Sequence, residues 1–243
     1  MTDELSNADF SDPWVGKKLT GYTIVRKIAE GGMGVVYLAH HKSLDRLAAI
    51  KFLSRQFTAE LAYVELFLRE ARAAAKMNHP NIVGVYDAGC IDEDVYYFIM
   101  EYVEGRDLRM IQDEIRIFPV RDAVEYVRQA ALALGYAHKK KIIHRDVKPE
   151  NLLLTKEGII KVADLGLAKW TGDDSALTQG GFVLGTPYYM APERLRDAHV
   201  VDPRSDIYSL GGTLFHLLTG KVPYEGSPPV VMSMHLHAPI PNP

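Results

Sequence analysis

Side chains of complementary chemistry lie close together in the stretch His144–Asn151. The carboxylate of Asp146 can accept a proton, and the ammonium group of Lys148 can lie beside an anion that is being transferred. The amide oxygen of Asn151 can bind a hard metal ion. Arg145 places a guanidinium group directly beside the carboxylate. These residue types suit group transfer on an anionic substrate with a metal ion, and the alternative is a polar surface turn.

A glycine-rich turn at residues 29–34 suits the binding of phosphate groups. Glycine adopts φ > 0 and lacks Cβ, so the backbone N–H groups near Gly31, Gly32 and Gly34 can close over phosphate oxygens. The turn joins two strand-like runs, and a third run follows at residues 47–53, which predicts an antiparallel meander. A simple hairpin turn is the alternative.

Apolar periodicity predicts the elements that must position these groups. Lys51 lies in the third strand-like run, where a lone ammonium group is costly to bury. It therefore needs a partner carboxylate, or else it reaches solvent along its own aliphatic stem. Apolar residues at helical spacing predict amphipathic helices over residues 58–77 and 119–136. A third helix is predicted to open near Ser205 and to stop at Gly220.

These features follow the order and spacing of the motifs of protein kinases. Residues 144–151 match H-R-D-x-x-x-x-N, residues 49–51 match the A-I-K of the third strand, residues 164–166 read D-L-G, and residues 191–193 read A-P-E. The sequence therefore resembles the protein kinase family. The loop at residues 31–37 and the N-H-P-N-I-V segment at residues 78–83 are most similar to bacterial eukaryote-like Ser/Thr kinases. Ala29 replaces the usual first glycine and Leu165 the usual phenylalanine, and neither change removes a reacting group.

The resemblance implies an α+β, bilobal protein kinase-like fold, with a small antiparallel β-sheet lobe, a mostly helical lobe and ATP between them. We expect a flexible leader at residues 1–18, an N-lobe with hinge at residues 19–103 and a C-lobe at residues 104–243. Kinases usually continue with further helices, one of which supplies an arginine partner for Glu193. The C-lobe is therefore expected to be incomplete at its C-terminus, as in a fragment of a longer protein.

The resemblance also implies a role for each candidate residue. Asp146 would orient and deprotonate the attacking hydroxyl group, and Lys148 would stabilise the γ-phosphate. Lys51, held by Glu70, would orient the α- and β-phosphates. The metal ligands would be Asn151 and Asp164, binding Mg²⁺ or alternatively Mn²⁺. The expected nucleotide contacts are Ala29, Gly31, Gly32, Gly34, Val36, Ala49, Lys51, Met100, Glu101, Val103, Asp107 and Leu153.

Two aspartates have a plain structural alternative to their implied roles. Asp107 could reach a ribose hydroxyl group, and it is equally well placed to cap a helix N-terminus. Asp206 matches the family aspartate that braces the backbone of the catalytic loop. Without that match it would be an ordinary acidic residue in the first turn of a helix.

The polar, Gly-rich segment at residues 169–184 is predicted to be a mobile regulatory loop. Thr178 occupies a usual position for an activation-loop phosphosite, and Thr171 and Ser175 are less well placed. We expect autophosphorylation of Thr178 and docking of the phosphate on Arg145, whose planar guanidinium group suits a phosphate. The alternative is that Thr178 is a solvated loop threonine.

Composition limits the class of protein further. The chain has 243 residues, 47% of them hydrophobic, and a net charge of −3, which gives no reason to expect nucleic acid or an anionic membrane as a partner. Cys90 is the single cysteine, so an internal disulfide is excluded, and we expect it to be a small buried residue. No apolar run approaches the ~18 residues of a membrane-spanning helix. We expect a cytoplasmic protein, although related kinases often carry a membrane span in a later region.

The expected function is that of an ATP-dependent serine/threonine protein kinase that autophosphorylates its activation loop. Lys148 and the Gly-Thr-Pro segment before A-P-E favour a Ser/Thr over a Tyr kinase. Its partners would be ATP and proteins with Ser or Thr, and a homodimer is compatible with the sequence. The alternatives are a binding scaffold without activity, which the filled catalytic positions disfavour, and a small-molecule phosphotransferase, which the complete activation segment disfavours.

Overall fold

The computed structural model describes residues 12–31, 34–165, 187–197 and 202–243. The chain forms two compact units, the first comprising Met1–Lys76 and Val83–Tyr102 and the second comprising Met77–Ile82 and Val103–Pro243. Residues 77–82 lie inside the range 19–103 that the sequence predicts for the N-lobe, yet they cluster with the second unit. The physical reason is that Met77 and Ile82 are buried in the apolar core of that unit.

The first unit is built on a six-stranded antiparallel sheet in the order β1-β2-β3-β4-β6-β5. Its strands are β1 (Lys18–Leu19), β2 (Tyr22–Gly31), β3 (Gly34–His41), β4 (Arg46–Leu53), β5 (Val85–Ile91) and β6 (Val95–Glu101). Two helices, α1 (Arg55–Thr58) and α2 (Leu61–Ala75), connect β4 to the later strands. Strands β2, β3 and β4 pair sequentially, so the predicted meander is confirmed.

Both faces of this sheet are covered by apolar side chains. Helix α2 buries Val64, Phe67 and Ala71 at helical spacing, and the ring of Phe67 lies 5.0 Å from that of Phe98 on β6. The second cluster of buried side chains on the strands includes Tyr22, Ile24, Tyr37, Ile50, Phe52, Val95, Tyr97 and Ile99. Burial on two faces explains why β4 is apolar along most of its length.

Residues 12–17 pack on the second of these clusters. The Trp14 ring stacks on Phe52 with the ring centroids 4.4 Å apart, and the ammonium group of Lys17 lies 4.5 Å from the centre of the Trp14 ring. The carboxylate of Asp12 accepts hydrogen bonds from the Tyr37 hydroxyl group at 3.0 Å and from the Trp14 backbone N–H at 2.9 Å. Residues 12–17 of the predicted flexible leader are therefore ordered. The large apolar area of the Trp14 indole ring favours packing on the sheet, although the neighbouring residues are polar.

The expectation of a buried Cys90 is wrong. Cys90 is exposed. It lies on β5, which forms the edge of the sheet, and the neighbouring side chains of Tyr86, Asp87 and Ala88 are exposed as well. A small apolar residue on an edge strand has no covering layer to bury it.

The second unit combines long helices with a three-stranded antiparallel sheet. Its strands are β7 (Gly105–Asp107), β8 (Leu152–Thr155) and β9 (Ile160–Val162), and its helices are α3 (Leu108–Ile115), α4 (Val120–Lys139), α5 (Pro192–Arg196), α6 (Pro203–Thr219) and α7 (Pro228–His237). Helices α4 and α6 pack together around Leu134 and Leu217, which are almost fully buried. Gly220 ends α6 in the left-handed conformation at φ 70°, as its position in the sequence predicts.

Helix α7 is an element that the sequence analysis did not predict. The chain after residue 222 is rich in proline. Pro228 and Pro229 lie in the first turn of α7, where a helix needs no backbone N–H donor, so they start the helix instead of breaking it.

We expect replacement of Trp14 by Ala to lower the free energy of unfolding by about 1–3 kcal/mol, because the half-buried ring loses its stacking on Phe52. Chemical denaturation followed by circular dichroism measures this change. Trp14→Phe keeps an aromatic ring and should lose clearly less. Equal stability of Trp14→Ala and the wild type would contradict the packing described here.

Candidate active site

Asp146, Lys148 and Asn151 form one hydrogen-bonded group between α4 and β8. The Nζ atom of Lys148 lies 2.9 Å from Oδ2 of Asp146. The Asn151 amide donates to the backbone oxygen of Asp146 at 2.7 Å and to its Oδ2 at 3.3 Å. The amide nitrogen of Asn151 is thus used within the loop, which leaves its Oδ1 atom as the group that can bind a metal ion.

Lys148 keeps its charge beside these groups. Burial lowers the pKa of Lys148, but the carboxylates of Asp146, Glu150 and Asp164 raise it more, so that its pKa lies above the ordinary value. The influence of Asp164 also means that the aspartate of the D-L-G motif lies near this ammonium group. A fixed cation therefore accompanies the acidic groups that the sequence singled out.

Asp206 on α6 holds the backbone of the catalytic loop by hydrogen bonds. Its carboxylate accepts the backbone N–H groups of His144 at 2.9 Å and Arg145 at 2.8 Å, and it lies 2.7 Å from Nε2 of His138 on α4. Burial raises the pKa of Asp206, but these hydrogen bonds outweigh that effect and bring it below its ordinary value. Arg145 itself adopts the left-handed conformation at φ 69°, which is costly for a residue with Cβ. The structure thus gives Asp206 the bracing position that the resemblance implied.

His144 joins the catalytic loop to the D-L-G segment. Its ring is fully buried, Nδ1 accepts the backbone N–H of Asp146 at 3.3 Å, and Nε2 lies 2.9 Å from the backbone oxygen of Ala163. The ring is therefore neutral with the proton on Nε2. The Ala163 N–H donates in turn to the backbone oxygen of Asn151 at 3.0 Å. The sequence analysis gave His144 no role, although its place at the head of H-R-D was a usable signal.

Within the first unit the structure brings Lys51 and Glu70 together. Lys51 Nζ lies 3.3 Å from Oε1 of Glu70, and the two residues are 8% and 2% exposed. The ammonium group also lies 5.5 Å from the centre of the Phe98 ring, within the range of a cation–π interaction. Burial excludes the alternative of an ammonium group that reaches solvent. Breaking such a pair would leave an uncompensated charge in an apolar place.

Close packing explains one glycine of the glycine-rich turn and does not explain another. A Cβ at Gly34 would meet the backbone oxygen of Phe52 at 2.0 Å, so this glycine is required by the close approach of β3 and β4. Among the described residues, no atom lies within 4 Å of the place where a Cβ at Gly31 would be, so packing against them does not explain that glycine. Ala29 pairs with Val36 across β2 and β3. Gly32 lies outside the described residues.

The other predicted nucleotide contacts lie on separate elements. In the first unit, Ala49 on β4 pairs with Met100 on β6. The backbone N–H of Glu101 donates to the backbone oxygen of Gly84 at 2.8 Å, and Glu101 pairs with Ala48 across β4 and β6. In the second unit, Val103 is half-buried, and Leu153 on β8 pairs with Asp107.

Asp107 caps helix α3. Its Oδ1 atom accepts the backbone N–H of Met110 at 2.8 Å. This bond satisfies one of the amide groups that the first turn of a helix leaves without a partner. Asp107 therefore has the helix-capping role that the sequence analysis gave as the alternative to a ribose contact.

Asn151 and Asp164 are suitable ligands for Mg²⁺. Within the described part of the chain, no group of three or more His, Cys, Asp or Glu side chains could hold a metal ion. An amide oxygen and one carboxylate fit Mg²⁺, which usually binds one or two protein carboxylates together with substrate phosphates and water. Asp164 adopts the left-handed conformation at φ 54°, a strained geometry of the kind found at functional sites.

The segment around A-P-E is anchored to the same loop. Arg194 donates a hydrogen bond to the backbone oxygen of Arg145. Glu193, for which the resemblance implies a later arginine, accepts a hydrogen bond from the hydroxyl group of Ser205 at 2.6 Å. The predicted phosphosites Thr171, Ser175 and Thr178 lie outside the described residues.

Residues 22–238 match the family model described as the protein kinase domain. The chain belongs to the protein kinase family. It is 40% identical over 230 residues to the serine/threonine-protein kinase PrkC of Bacillus subtilis, a match that covers 94% of this chain and 35% of that relative. It is 41% identical over 230 residues to PknF of Mycobacterium tuberculosis, covering 92% of this chain and 48% of PknF.

A solved structure confirms the predicted kinase fold. The kinase domain of Mycobacterium tuberculosis PknI, crystallised as a point mutant, is 34% identical with a TM-score of 0.69, and the match covers 86% of this chain and 79% of that one. The chain spans about a third to a half of the length of the curated relatives above. Among the described residues, no helix has the length and apolar character needed to cross a membrane.

We expect Asp206→Asn to lower the free energy of unfolding by roughly 3–5 kcal/mol at neutral pH, because a buried, fully hydrogen-bonded carboxylate is lost. Asp202→Asn, which changes the N-cap of the same helix, should cost much less, because asparagine caps a helix about as well as aspartate. The folded pKa of Asp206 is depressed below the ordinary 3.8, so the difference should persist above that pH and vanish as the pH falls through the folded pKa. Urea denaturation across a pH series measures both effects, and equal losses in the two variants would contradict the bracing role.

Proposed function

We propose that this kinase domain transfers the γ-phosphate of ATP to Ser or Thr hydroxyl groups of proteins, with Mg²⁺ as the metal ion. The observation that carries the proposal is the hydrogen-bonded group of Asp146, Lys148 and Asn151, held in place by a buried carboxylate. The serine/threonine-protein kinase names of PrkC and PknF support the same reading.

The protein would promote the proposed reaction by positioning the substrates and by stabilising charge, since phosphoryl transfer needs no covalent bond between protein and substrate. Asp146 accepts the proton of the substrate hydroxyl group as its oxygen bonds to the γ-phosphorus and the bond from that phosphorus to the leaving ADP oxygen breaks. Lys148 lies beside Asp146 and stays charged, so it stabilises the transferring phosphoryl group. Asn151 and Asp164 would hold Mg²⁺, which when bound would neutralise charge on the phosphate oxygens.

The first unit contributes groups for the rest of the nucleotide. Lys51, fixed by Glu70, orients the α- and β-phosphates. No atom of the described residues lies within 4 Å of a Cβ position at Gly31, which supports a close approach of phosphate to the backbone there. The carbonyl oxygen of Glu101, whose own N–H is already used, accepts a hydrogen bond from the adenine amino group.

Autophosphorylation in the segment before A-P-E is a further part of the proposal. Arg194 and Arg145 are neighbours, since the Arg194 guanidinium group donates a hydrogen bond to the backbone oxygen of Arg145. Two neighbouring guanidinium groups beside the catalytic loop suit a phosphate. We assign Thr178 as the residue that carries it.

We expect Asp146→Asn to bind ATP nearly as well as the wild type and to transfer phosphate about 10²–10⁴-fold more slowly, the usual effect of losing a general base. Nucleotide binding by calorimetry and transfer to a protein substrate by radiolabel measure the two properties on one sample. Glu157→Gln, an exposed carboxylate in the turn after β8, is the matched control. Wild-type rates in Asp146→Asn would remove Asp146 from the proposed role, and a wild type that binds ATP without transfer would favour a scaffold.

Incubation with Mg-ATP should add phosphate to Thr178, and Thr178→Ala should lower transfer to other proteins. Peptide mass spectrometry locates the modification. Thr171→Ala and Ser175→Ala are the matched controls from the same segment. An unmodified Thr178, or a Thr178→Ala enzyme as active as its parent, would contradict this assignment.

A further inference from the structure

Three buried hydroxyl side chains follow one face of α6 at a spacing of four residues. Ser205, Ser209 and Thr213 are 1%, 4% and 0% exposed, so their hydroxyl groups need partners inside the protein. Oγ of Ser209 donates to the backbone oxygen of Ser205 at 3.0 Å, and Oγ1 of Thr213 donates to that of Ser209 at 2.9 Å. These are the usual bonds of a hydroxyl side chain within its own helix. The hydroxyl group of Ser205 is used differently.

Ser205 donates its hydrogen to another helix. Its Oγ atom lies 2.6 Å from Oε1 of Glu193, which is in the first turn of α5. Because Ser205 is only the third residue of α6, no carbonyl group of that helix lies four residues before it. A distance of about 2.5–2.7 Å between a hydroxyl group and a carboxylate is typical of a charge-assisted hydrogen bond. Ser205 therefore links α6 to the A-P-E motif by a strong bond.

The next residue of α6 binds the catalytic loop. The carboxylate of Asp206 accepts the backbone N–H groups of His144 at 2.9 Å and of Arg145 at 2.8 Å. Two consecutive residues at the start of one helix thus hold two separate segments, Ser205 the A-P-E motif and Asp206 the H-R-D motif. The regular geometry of that helix fixes the two attachment points relative to each other.

Helix α5 depends on such contacts for its position. It has only five residues, Pro192–Arg196, and none of them is buried. A helix of that length has little stability of its own. Its side chains make two bonds to neighbouring segments, one from Ser205 to Glu193 and one from Arg194 to the backbone oxygen of Arg145. Loss of either bond should therefore loosen this part of the chain.

The segment that α5 belongs to lies beside the catalytic loop. Arg145, whose backbone oxygen accepts the bond from Arg194, directly precedes Asp146. The short 3-10 turn Pro187–Tyr189 comes immediately before the A-P-E motif. A polypeptide that presents a hydroxyl group to Asp146 would therefore pass along residues 187–197.

We propose that Ser205 is a positioning residue for the protein substrate, because its hydroxyl group holds Glu193 and so keeps residues 187–197 in place beside the catalytic loop. The inference rests on the proposed function and extends it to recognition of the polypeptide. The resemblance gives Glu193 an arginine partner, whereas the bond described here comes from an uncharged hydroxyl group. Ser205 is buried and touches no substrate itself, so its loss should weaken use of the protein substrate and leave use of ATP unchanged.

Three variants on α6 test this role. Ser205→Ala removes the hydroxyl group, and Ser205→Thr keeps it. Ser209→Ala is the matched control, since it removes a buried serine hydroxyl group whose bond stays within α6. Each variant is assayed for kcat and KM with myelin basic protein and with ATP. Hydrogen exchange of the peptide that covers residues 187–197 reports on the segment without relying on catalysis.

We expect Ser205→Ala to raise the KM for myelin basic protein about tenfold, a change of about 1.4 kcal/mol. The KM for ATP should not change, and hydrogen exchange in residues 187–197 should become faster. Ser205→Thr and Ser209→Ala should stay near the wild type in all three measurements.

A double-mutant cycle shows whether the effect passes through Glu193. Glu193→Ala should also raise the KM for myelin basic protein, and adding Ser205→Ala to it should have no further effect, because both changes remove the same hydrogen bond. Additive effects of the two changes would show that Ser205 acts through another contact and would overturn the proposal.

The proposal would also be wrong if Ser205→Ala left the KM for the protein substrate unchanged or raised the KM for ATP equally. A loss of the same size in Ser205→Thr or Ser209→Ala would count against it as well. A failure of the proposed function would look different. The wild type would then transfer no phosphate to myelin basic protein, while the exchange comparison would still decide whether Ser205 holds the segment.

Discussion

The buried carboxylate of Asp206 is the constraint on which the catalytic loop depends. A carboxylate without water around it must be surrounded by donors, and here these are one imidazole and two backbone N–H groups of the loop. Accepting those N–H groups requires Arg145 to remain in the left-handed region. The geometry of the loop is thus a consequence of satisfying a charge on a helix 61 residues later in the chain. Strain in one residue is offset by the charge-assisted hydrogen bonds that it permits.

The other buried charges singled out above also have partners of opposite charge. Lys51 with Glu70 and Lys148 with Asp146 each keep an ammonium group charged in a place where it would otherwise be costly. His144 extends the arrangement without any charge, because its neutral ring accepts from the loop and donates to the segment before Asp164. Within each unit these groups are fixed charges and dipoles that need little rearrangement during the proposed transfer.

Aromatic side chains fix the segments around this framework. Trp14 attaches the residues before β1 to the sheet of the first unit through its contact with Phe52. In the second unit, Tyr208 and Tyr224 contact the His235 ring and so connect α6 and the segment before α7 to α7 itself. In each case a large, stiff side chain secures a short segment that has few backbone hydrogen bonds of its own. Such anchors cost little conformational entropy, since an aromatic side chain has only two rotatable bonds.

The sequence by itself determined the element types and the identity of the reacting groups. Burial on one side gives a strand or helix a regular spacing of apolar residues, so the sequence predicted strands β2 to β4 and helices α2, α4 and α6. The H-R-D and D-L-G motifs identified Asp146, Asn151 and Asp164. Only the tertiary structure decided which side chains meet: Cys90 is exposed because β5 became the edge of the sheet, Gly34 is required by the backbone of β4, and Asp107 caps a helix. These outcomes depend on strand order and on contacts between distant residues, which local periodicity does not encode.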